Sequence, residues 1–325
     1  MRVLIVGAGM TGLTAARRLT VDGHEVTVVD KGRAVGGRMA SKRVGEARFD
    51  IGAQHFSVRS ELFRTEVDDW FERGLTEIWY QGSSLTDPAR GIEPRHRGVP
   101  AMRAICEGLA AGLDVRLATR IDRLEVLDLE VRAVGETGRS DWYDAAVVTA
   151  PAPQAIQLVR TAPIDPVALE QLSSVTYAPC LVAMIETDRV TGWKDGHLVP
   201  DAGAIAWMAD EHAKGVSAVP AITVHSTPAF AAEHIDRAVA EWLPLLIDEA
   251  APHLPGGVHS AGGHGWRYAQ PRNPSTDGAI VGHRRPPIVF AGEAFAGARI
   301  EGAFLSGLAA VEAMSRLSTA AQSSV

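Results

Sequence analysis

Three glycines, Gly7, Gly9 and Gly12, form a Gly-x-Gly-x-x-Gly run directly after a short apolar segment, residues 2–6. Asp30 closes a second apolar segment, residues 25–29. Glycines at this spacing allow a tight turn, close approach of backbone to a pyrophosphate, and close helix–strand packing. The helix behind them turns its first N–H groups toward phosphate charge. An acid at the end of the second strand can accept hydrogen bonds from a ribose diol. A dinucleotide is therefore expected on Gly7, Gly9, Met10, Thr11, Gly12 and Asp30.

Further motifs narrow the cofactor. After Asp30-Lys31 comes Gly36-Gly37-Arg38. The glycine pair brings backbone to the cofactor, and Arg38 offers charge-assisted hydrogen bonds to its pyrophosphate. A simple NAD fold needs no such segment, so FAD is expected. In Asp50-Ile51-Gly52-Ala53-Gln54-His55-Phe56, Gly52 and Ala53 are small enough to lie against a flat ring. His55 reads as a buried, satisfied side chain rather than a catalytic one. Near the end, Gly292 and Glu293 are expected to meet the ribityl-phosphate portion, and a helix starting near Gly302 to aim N–H groups at flavin N1 and O2. Trp266-Arg267-Tyr268 either walls the substrate side of the ring or packs a core.

These residues need a scaffold. The pattern predicts strands over 2–6 and 25–29 with a helix over 13–21 between them. Helices are expected over 61–74 (burying Leu62, Val67, Trp70 and Phe71) and 100–113, with a polar loop over 81–99. Two short strands are expected within 115–132 and a buried one over 145–150. Strands over 180–186, 205–209 and 221–225 belong to a separate sheet. One long helix over 231–250, bent at Pro244, presents Ile235, Val239, Trp242, Leu243, Leu246 and Ile247 on one face. A strand over 288–291 and a helix over 301–317 follow, then a frayed tail from Ser318. The expected fold is α/β: a discontinuous Rossmann-like FAD-binding domain (1–60, 98–155 and 270–325) with an inserted α+β substrate domain (61–97 and 156–269) built on an antiparallel or mixed sheet.

Composition limits the function classes. The chain has 325 residues, enough for two sizeable cores, and a net charge of −7. Acids spread along the chain argue against a nucleic-acid or anionic-membrane surface. No apolar run is long enough to span a bilayer, and the glycines interrupting the first apolar run argue against a signal peptide. Cys106 and Cys180 make no CxxC, metal pattern or disulfide framework, so a reducing cytoplasm is expected. Arg90, Arg95 and Arg97, and Arg284-Arg285, are basic clusters read as solvated surface rather than phosphate sites.

Together these motifs resemble the flavin amine oxidase superfamily and, within it, the renalases, especially bacterial ones. The likeness runs along nearly the whole chain. Ala150-Pro151-Ala152-Pro153, Val224-His225-Ser226-Thr227 and Arg299-Ile300-Glu301-Gly302-Ala303 fall in renalase-like order with the segments above. Glu293 stands where an Asp is common; either acid can accept hydrogen bonds. The resemblance implies non-covalent FAD, with Ile121, Arg299, Glu301, Gly302 and Ala303 added to its contacts. His225 and Arg267 would line the substrate pocket. It implies oxidation of misreduced dihydronicotinamide dinucleotides to NAD(P)+, by hydride transfer to flavin N5, with O2 reduced to hydrogen peroxide.

The residue chemistry is compatible. The four lysines are Lys31, Lys42, Lys194 and Lys214. None lies in a convincing substrate-domain strand, and Lys194 and Lys214 read as polar-loop residues. That counts against a standard amine oxidase, which usually places a lysine near flavin N5. A dihydronicotinamide becomes aromatic when hydride leaves, so no general base is required. Alternatives are an amine oxidase or other small-molecule FAD oxidase or monooxygenase, and a non-catalytic flavin scaffold. The stretch over residues 256–265 does not form a second dinucleotide motif, and no redox cysteine pair exists, which excludes disulfide reductases.

Overall fold

All four side chains of the Ala145–Val148 strand are buried, as a strand covered on both faces requires. It lies beside Arg2–Val6 in a six-stranded sheet. Edge to edge, the order is Ala279–Arg284, Pro287–Ala291, Ala145–Val148, Arg2–Val6, Glu25–Val29 and Asp114–Arg116. All neighbours pair in parallel except the first two. The order reverses beside Arg2–Val6, and Gly7 follows its carboxyl end, which is where open α/β sheets bind ligands.

The computed structural model describes residues 1–83, 91–136, 138 and 140–322. Its chain divides into two compact units. Unit one comprises Met1–Gly37, Cys106–Thr176 and Pro271–Val325; unit two comprises Arg38–Ile105 and Tyr177–Gln270. Residues 38–60 and 98–105 thus group with unit two, and 156–176 with unit one.

In unit one the helices Met10–Val21 and Ile300–Gln322 pack closely. Gly307 makes this closeness possible: a Cβ there would sit 2.7 Å from the Thr11 carbonyl oxygen and 2.9 Å from Thr14 Cβ. The first helix starts three residues before the expected 13, with Gly9 as its N-cap, and the last runs past the expected 317 to Gln322. Part of the expected tail is therefore helix; residues 323–325 lie outside the described residues. The stretch 115–132, expected to hold two strands, meets three: the end of Asp114–Arg116, then Ile121–Leu127 and the start of Glu130–Gly135, which form a small antiparallel sheet with Ser140–Tyr143.

Unit two is built on a five-stranded sheet in which Tyr177–Thr187, Ala221–Ser226 and Ile205–Asp210 pair antiparallel. One face, with Leu181, Ala183, Ile222 and Val224, packs against Trp242 and Leu246. The other, with Val182, Met184 and Ala221, packs against Ala47, Phe49 and Ile51. Those last residues run along and just past the second strand of a hairpin, Ser41–Val44 and Ala47–Asp50, within a stretch without helical period.

Several expectations are corrected here. The single helix over 231–250 is two, Pro228–His234 and Val239–Ala250. Arg237 N–H donates to His234 O and ends the first; Glu241 accepts from Ala238 N–H and starts the second. Trp242 and Leu246 are buried, whereas Val239 is exposed. Helix Glu61–Glu72 buries Phe63, Val67 and Trp70, leaving Leu62 and Phe71 exposed. The helix expected over 100–113 is shorter, Arg103–Ala110.

The loop expected over 81–99 is, in its described residues, part of two antiparallel strands, Thr76–Ser83 and Ile92–Gly98; residues 84–90 lie outside the described residues. Its inward residues include Arg95 and Arg97, so the alternation of a strand is hidden from a hydropathy reading. Arg95 donates to Glu93, Gly82 O and Ser83 O; Arg97 donates to Glu77 and Gly98 O. Neither is the solvated surface charge expected. Arg90 lies outside the described residues, and Arg284 and Arg285 are exposed. The glycine-rich stretch over 256–265 falls mostly in a 14-residue strand, Val258–Pro271. A Cβ on Gly263 would come within 2.6 Å of Trp242 and Val239.

Replacing Gly307 with Ala should force the two long helices of unit one apart. We expect a loss of about 1–3 kcal/mol, the usual cost of overpacking, read as a lower urea midpoint with unchanged slope.

Candidate functional site

Unit one carries the glycine turn. Gly7 has φ +117°, and a Cβ on it would lie 2.4 Å from Thr149 Oγ1; a Cβ on Gly12 would lie 2.0 Å from Gly7 O. Both positions therefore require glycine. Met10, Thr11 and Gly12 form the buried first turn of the helix. Gly9 caps it without a side-chain hydrogen bond, and its missing Cβ faces Gly37 Cα at 4.0 Å. The Asp30 carboxylate accepts from Ala8 N–H (2.8 Å) and Gly32 N–H (2.6 Å), and Gly36 N–H donates to Ala8 O. These bonds tie the two turns together and leave Asp30 lone pairs for a ligand. Lys31 reaches Gln154 Oε1 at 3.1 Å.

The later unit-one residues are buried differently. Glu293 and Glu301 are buried side chains, and Gly292 N–H donates to the buried Ser306 hydroxyl, which donates to Gly278 O. Ser306, which the motifs did not single out, thus anchors Gly292. Gly302 lies against Gly297 O, where a Cβ would meet it at 1.9 Å, and Ala303 N–H donates to Arg299 O. Ile121 opens its strand half-buried. A turn without side chains at a helix start, with an acid on the next strand, fits the diphosphate and ribose of a dinucleotide.

Unit two holds a buried polar cluster that the sequence reading missed. Lys214, read there as a polar-loop residue, is fully buried. Its Nζ lies 2.9 Å from Asp50 Oδ2, 3.6 Å from Glu211 Oε2 and 2.9 Å from Gln54 Oε1, and 5.0 Å from the centre of the Trp79 ring. Asp50 Oδ1 accepts from Ser41 Oγ and Met102 N–H. Glu211 Oε1 accepts from Thr223 Oγ1 and Asp50 N–H. Burial, with the Asp50 charge adding, raises the Glu211 carboxyl to about 7 against the pull of Lys214.

Gln54 Nε2 donates to Asp50 O and Gly52 O and faces His225 Nε2 at 3.4 Å. Burial, and then the Lys214 ammonium, push His225 down to about 4. Burial also pushes His55 down to about 3, and its Nδ1 is buried without a hydrogen-bond partner. His55 is therefore half-buried, with one buried ring nitrogen left unsatisfied. It packs against Trp79, Tyr80 and Trp207, and Trp207 stacks on His197 with ring centres 4.6 Å apart.

The remaining unit-two candidates separate. Gly52 lies against Arg38 O, and Ala53 N–H donates to that oxygen. Arg38 donates to Tyr268 O. Trp266 donates from Nε1 to Ile51 O, and Tyr268 packs edge-on against Tyr177. Arg267, between them on the strand, is exposed and pairs with exposed Asp236. Burial pushes the Cys180 thiol up to about 12. Among the described residues no group of three or more His, Cys, Asp or Glu could hold a metal, and no helix is long and apolar enough to cross a membrane.

The buried ion pair gives two predictions. Lys214→Met strands the Asp50 charge and should cost roughly 3–5 kcal/mol, measured by urea unfolding. Glu211 has a folded pKa above its unfolded value, so its stabilising contribution is complete below about 4.5 and fades as pH rises toward about 7. His55 and His225, with folded values depressed from 6.5, pull the opposite way as pH falls. The Glu211 contribution is therefore read as a difference: the stability gap between wild type and Glu211→Gln should change across pH 4.5–7, and a constant gap would refute the assignment.

Comparison with known proteins agrees with this geometry. Residues 5–67 match the NAD(P)-binding Rossmann-like domain family, and residues 80–315 match the flavin containing amine oxidoreductase family. Renalase of Mus musculus is 25% identical over 97% of this chain and 99% of its own. A 4,4'-diapophytoene desaturase of Staphylococcus haemolyticus is 48% identical over 52 residues, which is 16% of this chain and 10% of that protein. The crystal structure of a CLA-producing fatty acid isomerase from P. acnes superposes with a TM-score of 0.69 at 14% identity, covering 97% of this chain and 98% of that one; it supports the fold alone. The chain belongs to the flavin containing amine oxidoreductase family, as a renalase-like, flavin-dependent oxidoreductase.

Proposed function

We propose that the chain is an FAD-dependent oxidase of misreduced dihydronicotinamide dinucleotides, yielding NAD(P)+. The observation that carries this reading is similarity to a renalase along the whole length of both chains. The state of the buried titratable groups supports it. Lys214 is committed to Asp50 and Gln54, and burial keeps His55 and His225 neutral at pH 7. These residues suit a donor that becomes aromatic on losing hydride and need surrender no proton to a base.

In unit one, Gly7, Gly9, Met10, Thr11, Gly12 and Gly37 would cradle the FAD diphosphate, and Asp30 would take the ribose. Gly292, Glu293, Arg299, Glu301, Gly302 and Ala303 would serve the flavin-side portion. FAD, when bound, supplies the two-electron acceptor and returns the electrons to O2 as hydrogen peroxide. Unit two would recognise the substrate, with His225 among its contacts. Cys106 and Cys180 form no disulfide, in keeping with a cytoplasmic setting.

A second reading, oxidation of a small amine, draws on the cluster of Trp79, Tyr80 and Trp207, since aromatic faces attract cations. Anaerobic stopped-flow separates the two. Mixing the yellow protein with isomeric dihydronicotinamides should bleach the flavin rapidly with one isomer, and not with ordinary NADH or amines. Bleaching by amines alone would transfer the function to the second reading. Separately, Gly9→Val fills the space facing Gly37 and should lower the flavin content of purified protein, seen as a reduced visible-to-ultraviolet absorbance ratio.

A further inference from the structure

The cluster around Lys214 fixes more than charge. An ammonium only donates hydrogen bonds, so the Gln54 group facing it at 2.9 Å must be the amide oxygen. Carbonyl oxygens only accept, so the group facing Asp50 O and Gly52 O must be the amide nitrogen. Both ends of Gln54 thus specify one orientation. The NH2 has two hydrogens: one goes to Asp50 O, and the other is shared between Gly52 O and His225 Nε2, each 3.4 Å away; since an amide nitrogen accepts no hydrogen bond, a bond there takes the bare nitrogen of His225. The proton of neutral His225 is left on Nδ1, which makes no hydrogen bond within the described chain.

Trp207 is the cross-strand partner of His225 in the antiparallel register, so the two side chains share one face of the sheet. Trp207 is 9% exposed, and its Nε1–H is buried without a partner. A buried indole N–H normally finds an acceptor. Two neighbouring side chains therefore each offer a donor with no acceptor among the described residues.

We infer that Lys214 is a positioning residue: through Gln54 it holds His225 in the tautomer protonated at Nδ1, and that N–H with Trp207 Nε1–H forms a donor pair for a carbonyl-type oxygen of the substrate. Resting on the function proposed above, that oxygen belongs to the carboxamide of a dihydronicotinamide. An amine offers no such acceptor, so the pair discriminates between the two substrate classes.

The tautomer is directly observable. Full-length, flavin-loaded protein labelled with ring-15N histidine would be examined by long-range proton–nitrogen correlation, with His225 assigned by its disappearance in His225→Gln. At neutral pH the expected signature is a protonated Nδ1 and a bare Nε2. A protonated Nε2, alone or together with Nδ1, overturns the proposal whatever any variant does. Gln54→Met removes the donor, and the signature should become a mixture of tautomers; an unchanged spectrum overturns the Gln54 step. The double variant Asp50→Asn, Lys214→Met frees Gln54 without stranding a carboxylate at position 50, and should give the same mixture, whereas Lys214→Arg, still donor-only, should keep Nδ1–H.

In turnover, His225→Phe should lower kcat/KM for the dihydronicotinamide about tenfold, mainly through KM, as expected for one lost hydrogen bond. An unchanged value overturns the substrate role of the pair. Failure of wild type to oxidise any dihydronicotinamide would remove the proposed function instead, and leave the tautomer result standing.

Discussion

A fully buried ammonium is the constraint around which unit two is arranged. Removing Lys214 from water would be prohibitive without the carboxylate of Asp50 at 2.9 Å and the oxygen of Gln54 at the same distance. Asp50 comes from the hairpin on one face of the sheet, and Lys214 and Glu211 from the turn that follows Ile205–Asp210. Their attraction ties two distant parts of the chain, and every remaining lone pair of Asp50 Oδ1 is taken by Ser41 and Met102. The geometry of Gln54 and His225 follows from that pairing rather than from local sequence.

Unit one rests on a different principle, the absence of side chains. Gly12 leaves no room for a Cβ because helix start and turn touch at backbone distance, Gly7 because the Thr149 hydroxyl lies against it, and Gly307 because the first and last helices meet there. Around the turn the Asp30 carboxylate accepts from two backbone N–H groups rather than pairing with a cation. One unit thus gains definition from close backbone contact, the other from polar groups satisfied in the interior.

The contrast explains what could be read in the sequence. The turn's glycines, of which Gly12 is constrained locally by Gly7 O, appear as spacing, and the strands flanking them were legible with their bounds, Arg2–Val6 and Glu25–Val29. Lys214 was not legible. Its neighbours His212, Ala213 and Gly215 look like a solvated loop, and its burial is decided by Asp50 and Gln54, 160 residues from Lys214 in the latter case. The strand containing Arg95 and Arg97 was hidden because its inward side chains are charged, and most of their partners lie on another strand or on backbone carbonyls. The strand Val258–Pro271 was hidden by its glycines, of which Gly263 is demanded by packing against Trp242 and Val239. The one signal available for the cluster was Asp50 followed by Gln54 in a stretch already singled out for its glycine.

The sheet of unit one also sets a schedule for synthesis. Ala145–Val148 pairs on one side with Arg2–Val6 and on the other with Pro287–Ala291. While the ribosome makes all of unit two's second segment, on the order of ten seconds, that apolar strand has an unpaired edge. Such edges recruit other chains. The nascent protein therefore depends on whatever covers Ala145–Val148 until Pro287–Ala291 emerges, and crowding among ribosomes on one message would be its most hazardous moment.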